Sequence, residues 1–248
     1  MVYILVFLLV HWYVSAFCQS FFLHRYGAHA MFTMPRFWDR FFYLLTYVSQ
    51  GSSFLNPRAY ALLHREHHKH SDTEKDPHSP HFFKDVFQMM MNTRRIYHDL
   101  RTGLDKKQAK EVEGLPTWPA LDRFGCSYFS SLAWVAVYVA FYVHFAPSLW
   151  WFLLLPIHIL IGPIHGAFVN WCGHKYGYAN YDNHDHSKNT FFLDFLIMGE
   201  CFQNNHHRFP NSPNFAKKWF EVDLTYPLIQ LMNKLHIIRL TPAAINSL

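Results

Sequence analysis

His64, His67 and His68 stand together in the run HREHH (64–68). On a helix each residue advances the side chain by about 100°, so His67 lies about 60° from His64 in projection and His68 about 40°, on the other side. One turn thus aims three imidazoles at one place. The same spacing returns in QNNHH (203–207), with Gln203 in the first slot and His206 and His207 in the last two. HRYGAH (24–29) brings His24 and His29, and Asn170 and His174 form an i, i+4 pair between the later clusters. Neutral imidazole is the commonest metal-binding side chain. A solvated polar helix face is the plain alternative for any one doublet, but recurrence along one chain argues for a metal centre.

The elements that must position these residues are apolar. Residues 1–24 carry no charged side chain, which matches the roughly 20 residues a helix needs to cross a bilayer. A signal peptide would show a basic start and a small-residue cleavage site, and neither is present. Arg25, Arg36 and Arg40 follow directly, so the positive-inside rule sets the N-terminus outside and His24 on the cytoplasmic side. Residues 124–174 again lack Asp, Glu, Lys and Arg, enough for two spans joined at Ala146-Pro147-Ser148. A kink is expected at Pro156 or Pro163. With spans at about 1–23, 128–145 and 149–169, every histidine cluster falls on one aqueous face. The expected fold is an all-α, multi-pass membrane bundle of about three spans in a single domain. Residues 24–123 and 170–248 form its cytoplasmic, histidine-rich helical cap.

Within that cap, 41–57 is broken by Ser49-Gln50-Gly51-Ser52-Ser53 and reads as an interfacial helix. The mixed stretch 101–123 reads as a solvated excursion. Leu224, Leu228, Leu231, Met232 and Leu235 recur at helical spacing, so 224–240 reads as a helix packed on the cap.

The 248 residues include 19 His, against 22 Lys and Arg combined, and 19% are aromatic. Trp and Tyr at this level suit membrane-interface belts. The net charge of +5 fits an anionic bilayer surface or an acidic carrier protein, and no nucleic-acid motif accompanies it. Cys18, Cys126, Cys172 and Cys201 are scattered without a C-x-x-C and read as reduced bystanders.

Nitrogen-rich ligand sets suit zinc, iron, copper or nickel. Eight histidines with auxiliary Asn and Gln exceed what one structural zinc requires, so two metals are expected. The Glu-x-x-His plan of soluble di-iron bundles and the H-E-x-x-H protease motif are both absent. A histidine-dominated metal pair at a membrane face points to iron and oxygen chemistry on a lipid.

HRYGAH, HREHH and QNNHH, in this order and at these separations with Asn170 and His174, resemble the boxes of the membrane fatty acyl desaturases. The stearoyl-CoA type and its bacterial relatives are nearest. HKHSDTEKDPHSP after the second box and GECFQNNHHRFP around the third agree, and the resemblance covers nearly the whole chain. It implies an O2-dependent oxidoreductase that makes a cis double bond in a long acyl chain, using two electrons at a di-iron centre. By motif position, His24, His29, His64, His68 and His207 surround one iron. His67, His174 and His206 hold the other, which Asn170 reaches through water. Gln203 stands where the family usually has His, and an amide oxygen is a weaker donor to iron. Stearoyl-type members also carry a helical hairpin before the first box, where this chain has room for one span.

In a continuous α-helix the i, i+5 pair His24/His29 would diverge by about 140°. The box therefore reads as a helix terminus near Gly27. Asp76 and Glu200 are placed to orient imidazole N–H groups from behind the ligands. Trp12, about 18 Å along the axis from His24, is placed to close the end of an acyl tunnel. His11, His144, His158 and His165 are expected to hydrogen-bond within the bundle or line a cavity. His70, His78, His81, His184 and His186 read as supporting residues, and His98 and His236 as surface.

No haem-binding, P-loop or dinucleotide motif is visible, so a separate ferredoxin or cytochrome b5-like donor with its reductase is implied. Lys106, Lys107, Lys110, Lys217 and Lys218 offer it a surface, although an ordinary solvated face is the favoured reading of them. Ligand spacing leaves a lipid or carotenoid hydroxylase open, because desaturation and hydroxylation share the first hydrogen abstraction. A haem-binding or metal-transporting membrane protein is the alternative of another class. The acyl carrier, whether CoA thioester, carrier protein or glycerolipid, is left open, as is the position of the double bond.

Overall fold

The computed structural model describes residues 1–106, 109–191 and 193–248. Helix α1 (Val2–Phe17) runs without a break into a π-helical segment, Cys18–Ala28, making one rod of 27 residues. The rod, α7 (Tyr128–Phe145) and a bent pair are the long apolar elements. Two helices, or three with the bent pair counted as one span, are long and apolar enough to cross a membrane. Val6, Val10, Leu132 and Val143 stay exposed on them, as lipid-facing side chains would.

The bent pair consists of a 3₁₀ run, Leu149–Leu154, leading into α8 (Leu155–Ile159), and α9 (Ile161–Ala167) leading into a π turn, Phe168–Cys172. Its halves meet at 68° around Leu160, between the two prolines named above. Pro163 has no N–H to offer the carbonyl four residues back, that of Ile159. The Ser52 hydroxyl donates to this Ile159 carbonyl instead (2.9 Å), and Ser53 Oγ accepts from the Gly162 N–H (3.1 Å).

Those serines belong to a hairpin, which corrects the interfacial-helix expectation for 41–57. Helix α2 (Arg36–Gln50) descends along α1, a 3₁₀ turn (Gly51–Ser53) reverses it, and α3 (Pro57–His70) climbs back. The turn packs on α7 at Tyr138, ten residues into that helix. Polar backbone at this depth is tolerated where protein satisfies it. Besides the two serine bonds, Gln50 Oε1 accepts from the Leu55 N–H (3.0 Å). Asn56 caps α3 through the Ala59 N–H (3.0 Å), with Pro57 in the first turn where its missing N–H costs nothing.

The cap adds α4 (Val86–Thr102), α5 (Ala109–Val112), α6 (Pro119–Gly125), α10 (Gln203–Arg208), α11 (Thr225–Lys234) and α12 (Pro242–Ile245). The 101–123 stretch thus holds short helices, and it buries Leu104 and Leu115 against α3 rather than standing free. The helix expected over 224–240 stops at Lys234, because His236 takes a left-handed backbone (φ 57°) and turns the chain into a strand. That strand, Arg239–Leu240, pairs antiparallel with Phe32–Thr33, and Leu193–Asp194 pairs parallel with Val222–Asp223. These two-residue ladders and the isolated antiparallel bridges Tyr178–Asn189 and Asn189–Phe202 are the β pairings among the described residues. A core of Phe21, Phe22, Phe32, Phe42, Phe202 and Phe215 joins the rod's π segment to the cap.

Candidate metal centre

The π segment does what the sequence expectation assigned to a helix end. In π winding the backbone bond closes on the fifth residue, and the His29 N–H donates to the His24 carbonyl (3.1 Å). The two rings therefore share one side, 5.0 Å apart. The helix also stops there, with His29 as its C-cap. Winding and terminus together produce the convergence.

Helix α3 brings His64, His67 and His68 beneath this turn, and α10 brings His206 and His207 from the other side. Two groups form. His24, His29, His64, His68 and His206 have ligand nitrogens within 4.8 Å of one another, as do His67, His174 and His207. Adjacent Nε2 atoms lie 3.0 Å apart for His24/His206, 2.8 Å for His29/His64, 2.9 Å for His68/His206 and 3.2 Å for His67/His207. Two nitrogens about 2.1 Å from one metal and at right angles would be about 3.0 Å apart. The third-box doublet divides the opposite way from the motif-based assignment: His206 joins the first group and His207 the second. Consecutive helical residues point about 100° apart, so one goes to each group, and the rotation of α10 decides which. Asn204 and Asn205 set that rotation. Asn204 Oδ1 accepts from the Asn180 and Tyr181 N–H groups, and Asn205 Nδ2 donates to the Phe215 carbonyl and Glu221.

Carboxylates stand behind the rings. His67 Nδ1 donates to Asp76 (2.9 Å), His174 Nδ1 to Asp72 (2.8 Å), His207 Nδ1 to Asp185 (2.7 Å), and His24 Nδ1 to Glu200. An ionised carboxylate only accepts, so each of these imidazoles carries a proton on Nδ1, and the neutral rings of His67 and His207 turn a lone pair outward on Nε2. The Nε2 atoms of His67 and His207 consequently face each other at 3.2 Å as two lone pairs. That approach is repulsive unless a cation lies between them. His174 Nε2 is buried with no partner in the protein. Burial first, and then the neighbouring rings, hold His29, His64, His67, His68 and His206 well below the usual imidazole range. Burial also lowers His207, against the pull of Asp185. Neutral, converging and lone-pair-forward, these residues fit a pair of nitrogen-loving metal ions.

Glu200 anchors a wider network. It accepts from Ser20 Oγ (2.6 Å) and Arg25 (2.8 Å) as well as from His24. Arg25 is fully buried, bonds Asp223 (2.7 Å) and lies 3.7 Å over the Phe215 ring. Burial alone would raise the Glu200 carboxyl, but His24 and Arg25 hold it down at about 2. Asp185 is likewise held at about 2, by the His207 N–H, and Asp72 below the usual range by His174, both against burial. Burial pushes Asp76 up to about 6 despite backbone N–H bonds from His78 and Asp72. Asp72, Asp185, Asn204 and Asn205 escaped the sequence reading. Only the proximity of Asp72 and Asp185 to histidines in SDT and HDHS hinted at a role.

Gln203 is buried against Gly173 beside His174, and its amide nitrogen donates to the Glu200 carbonyl (2.7 Å). Asn170 is half-buried in the π turn preceding His174. Trp12 is half-buried; its indole N–H donates to the Leu196 carbonyl (2.7 Å) and it meets the His165 ring edge-on at 4.5 Å. His81 Nε2 lies 2.9 Å from the His174 carbonyl, whereas His78 is buried with both nitrogens unpartnered. His144, His184, His186, His98 and His236 are exposed.

Fold and site define a membrane-type helical bundle that gathers two histidine groups able to hold metal at one end of its apolar helices. The chain belongs to the fatty acid desaturase family, whose model it matches over residues 1–231, a family of membrane-bound oxidoreductases that generally uses iron. It is 29% identical over 229 residues to an sn-1 stearoyl-lipid 9-desaturase of Anabaena variabilis, covering 91% of this chain and 78% of that protein. The corresponding protein of Synechocystis is 30% identical over 217 residues, 86% of this chain and 63% of the relative. An acyl-CoA 5-desaturase of Anemone leveillei is 28% identical over 225 residues, again 86% and 63%.

Proposed function

We propose that this protein inserts a cis double bond into a long fatty acyl chain, consuming O2 and two electrons, with one iron in each histidine group. The observation that carries the metal reading is the pair of opposed Nε2 lone pairs on His67 and His207, each fixed by a carboxylate behind it. When bound, iron supplies the oxygen activation that lets an unactivated methylene lose hydrogen. The chain's own residues hold the ligand rings in one tautomer, exclude water from the first group and keep Glu200 ionised against Arg25. Gln203, with its NH2 committed to the Glu200 carbonyl, is assigned to turn its oxygen toward the second group. Asn170 is assigned a water-mediated contact there. Trp12 is assigned to the closed end of the acyl tunnel; an unchanged chain-length preference in Trp12→Ala would remove that assignment.

The histidine groups are placed on the cytoplasmic face, where a ferredoxin or cytochrome b5-like donor delivers electrons. Lys106, Lys110 and Lys218 are exposed and available to such a partner. Lys217 is not, because its ammonium bonds Ser212 Oγ (2.6 Å) and the Ser247 carbonyl (3.2 Å), and Lys107 lies outside the described residues. The carrier is a lipid or a CoA thioester, after the stearoyl-lipid and acyl-CoA desaturases among the relatives above.

Expression in a host lacking unsaturated fatty acids, followed by lipid profiling, tests the proposal. A new cis double bond that disappears with His67→Ala supports it. A new hydroxyl in its place decides for the hydroxylase, and an unaltered profile from a folded, iron-loaded protein sinks both.

A further inference from the structure

The segment leading into the third histidine box is inside out for a surface that meets water. Phe191 and Phe195 are exposed, Phe195 to 53%, whereas Asp194 is buried. The strand paired with this segment repeats the pattern: Val222 is exposed, and its neighbours Glu221 and Asp223 are buried. A strand facing water alternates the other way, with its polar residues outward. Trp219 and Phe220, just before Val222, extend the apolar surface, and Trp219 is 95% exposed. Contiguous exposed apolar side chains of this kind mark a surface that meets a partner.

The same segment runs along the apolar part of the rod. The Met198 carbonyl accepts from Thr225 Oγ1 (2.7 Å), which also bonds Ser20 Oγ (3.1 Å), and the Leu196 carbonyl accepts from the Trp12 indole N–H (2.7 Å). Trp12 lies about 12 Å beyond Ser20 by helical rise, and about 20 Å beyond Arg25, the first charged side chain. The segment therefore passes Ser20 and enters the charge-free length of the rod that matches a bilayer core. At Met198 and Gly199 a left-handed backbone (φ 59° and 98°) turns it back, and Glu200 follows directly.

Irregular backbone at membrane depth is tolerated where protein satisfies its polar groups. The Asp194 carboxylate accepts from the N–H groups of Ile197 (3.0 Å), Gly199 (2.9 Å) and Cys201 (2.8 Å). Besides the Leu196 and Met198 carbonyls, taken by Trp12 and Thr225, the Ile197 carbonyl accepts from the Glu200 N–H (3.3 Å). A loop in water could leave these groups to solvent. Here one buried carboxylate and two side-chain donors serve them, while the Phe195 ring points away from the protein.

We propose that residues 194–198 form a re-entrant loop that dips into the bilayer beside the rod, with Phe195 in the hydrocarbon and Trp219 at the headgroup level. The occupant of this surface is the lipid bilayer. Its apolar side chains continue the exposed face of the rod, where Val6 and Val10 already face outward. The bond to Trp12 sets the loop at the depth of that face. Trp219 follows the exposed Lys218, and an aromatic ring beside a cation is the pairing found where a chain leaves the hydrocarbon. Because Glu200 comes directly after the turn, lipid contact seats the third box at a set height against the membrane. The inference does not depend on the reaction catalysed; it requires only that the bundle is membrane-bound.

The test uses the whole chain in nanodiscs of phosphatidylcholine with some phosphatidylglycerol. Cys126→Ala and Cys172→Ala remove the two partly exposed thiols. On that background Phe195→Cys, Leu132→Cys on the outer face of α7 and Asp99→Cys on the cap each carry an NBD fluorophore, and each is checked for an unchanged melting temperature. A nitroxide near the methyl end of the lipid chain is expected to quench the Phe195→Cys label to within about twofold of the Leu132→Cys label, and about fivefold more than the Asp99→Cys label. Trp219 needs no label. The fluorescence lost in Trp219→Phe is expected to be quenched more by a nitroxide near the headgroup than by the deep one. Quenching of the Phe195→Cys label no greater than that of Asp99→Cys overturns the immersion. A label shielded from lipid in discs that hold two copies also overturns it, and assigns the surface to a contact between copies.

Discussion

His29 and His24 are joined by one backbone hydrogen bond that spans five residues, and that bond sets the first metal group. In α winding the two side chains would diverge, and only His24 would reach the carboxylate of Glu200 and the Nε2 of His206. With the π turn, His29 Nε2 arrives 2.8 Å from His64 Nε2 while His24 keeps its own contacts. A helix distorted from the α repeat is tolerated here because Arg25 is clamped by Glu200 and Asp223, and Arg65 Nε reaches back to the Ala28 carbonyl (3.0 Å).

Metal content should report the two groups separately. His29→Ala is expected to lose about one of two metal equivalents, and His174→Ala the other, since a single missing ligand costs an order of magnitude or more in affinity. The doublet gives the sharper form of this prediction. His206→Ala combined with His68→Ala should cost little beyond either alone, whereas His206→Ala combined with His207→Ala should empty both groups. Metal analysis of purified protein decides it; loss of the same equivalent from His206→Ala and His174→Ala contradicts the division described here.

Removing a carboxylate behind a ring should act without touching a ligand. Asp185→Asn leaves an acceptor for His207 Nδ1 but removes the charge that makes the ring a stronger donor. The expected loss of metal affinity in the second group is about 10- to 100-fold, with the first group unaffected. Competition against a chelator measures it, and an unchanged affinity removes Asp185 from the site.

Acid should destabilise the metal-free protein first by charging its buried imidazoles, below about pH 6.5, and then, at lower pH, by protonating Glu200. Its carboxyl titrates at about 2 in the fold against an ordinary 4.5, because His24 and Arg25 overcome the effect of burial. A depressed carboxyl contributes stability above its ordinary pKa and loses it as pH falls through the folded value. The contribution is on the order of 3 kcal/mol, present above about pH 4.5 and gone near pH 2. Glu200→Gln should lower the melting temperature at pH 7 and flatten its fall between pH 4.5 and 2. A parallel fall in both proteins places the acid sensitivity elsewhere.

The site was legible where helical arithmetic applies. HREHH needs only the 100° step to converge, and charge-free runs mark the two long apolar helices without any knowledge of contacts. It was not legible where long-range bonds decide. Asp72 and Asp185 sit in irregular loops, where spacing carries no direction. The partition of His206 and His207 follows from the seating of α10, a helix of six residues held by Asn204 and Asn205 against residues up to 24 positions away. The His24/His29 box obeyed a helical repeat other than the one applied to it. Ser52 and Ser53 read as polar interruptions of an apolar run, but their partners are Ile159 and Gly162, more than a hundred residues on, freed or exposed by the Pro163 break.

The same hairpin yields the prediction that bears most directly on the fold. Gly51 holds φ at 50° with ψ at −117°, a backbone that side-chain-bearing residues rarely adopt, and a Cβ there would run into the Tyr138 hydroxyl. Gly51→Ala therefore meets a steric obstacle on α7 and a backbone penalty at once. The two together are expected to cost about 2 to 4 kcal/mol, read as a lower melting temperature in detergent. Tyr138→Phe removes the obstructing oxygen and in the double variant should return only the steric share. Because α3 leaves this turn carrying His64, His67 and His68, the Gly51→Ala protein should also bind metal more weakly in both groups. Full stability in Gly51→Ala would mean that the turn does not pack against α7 as described.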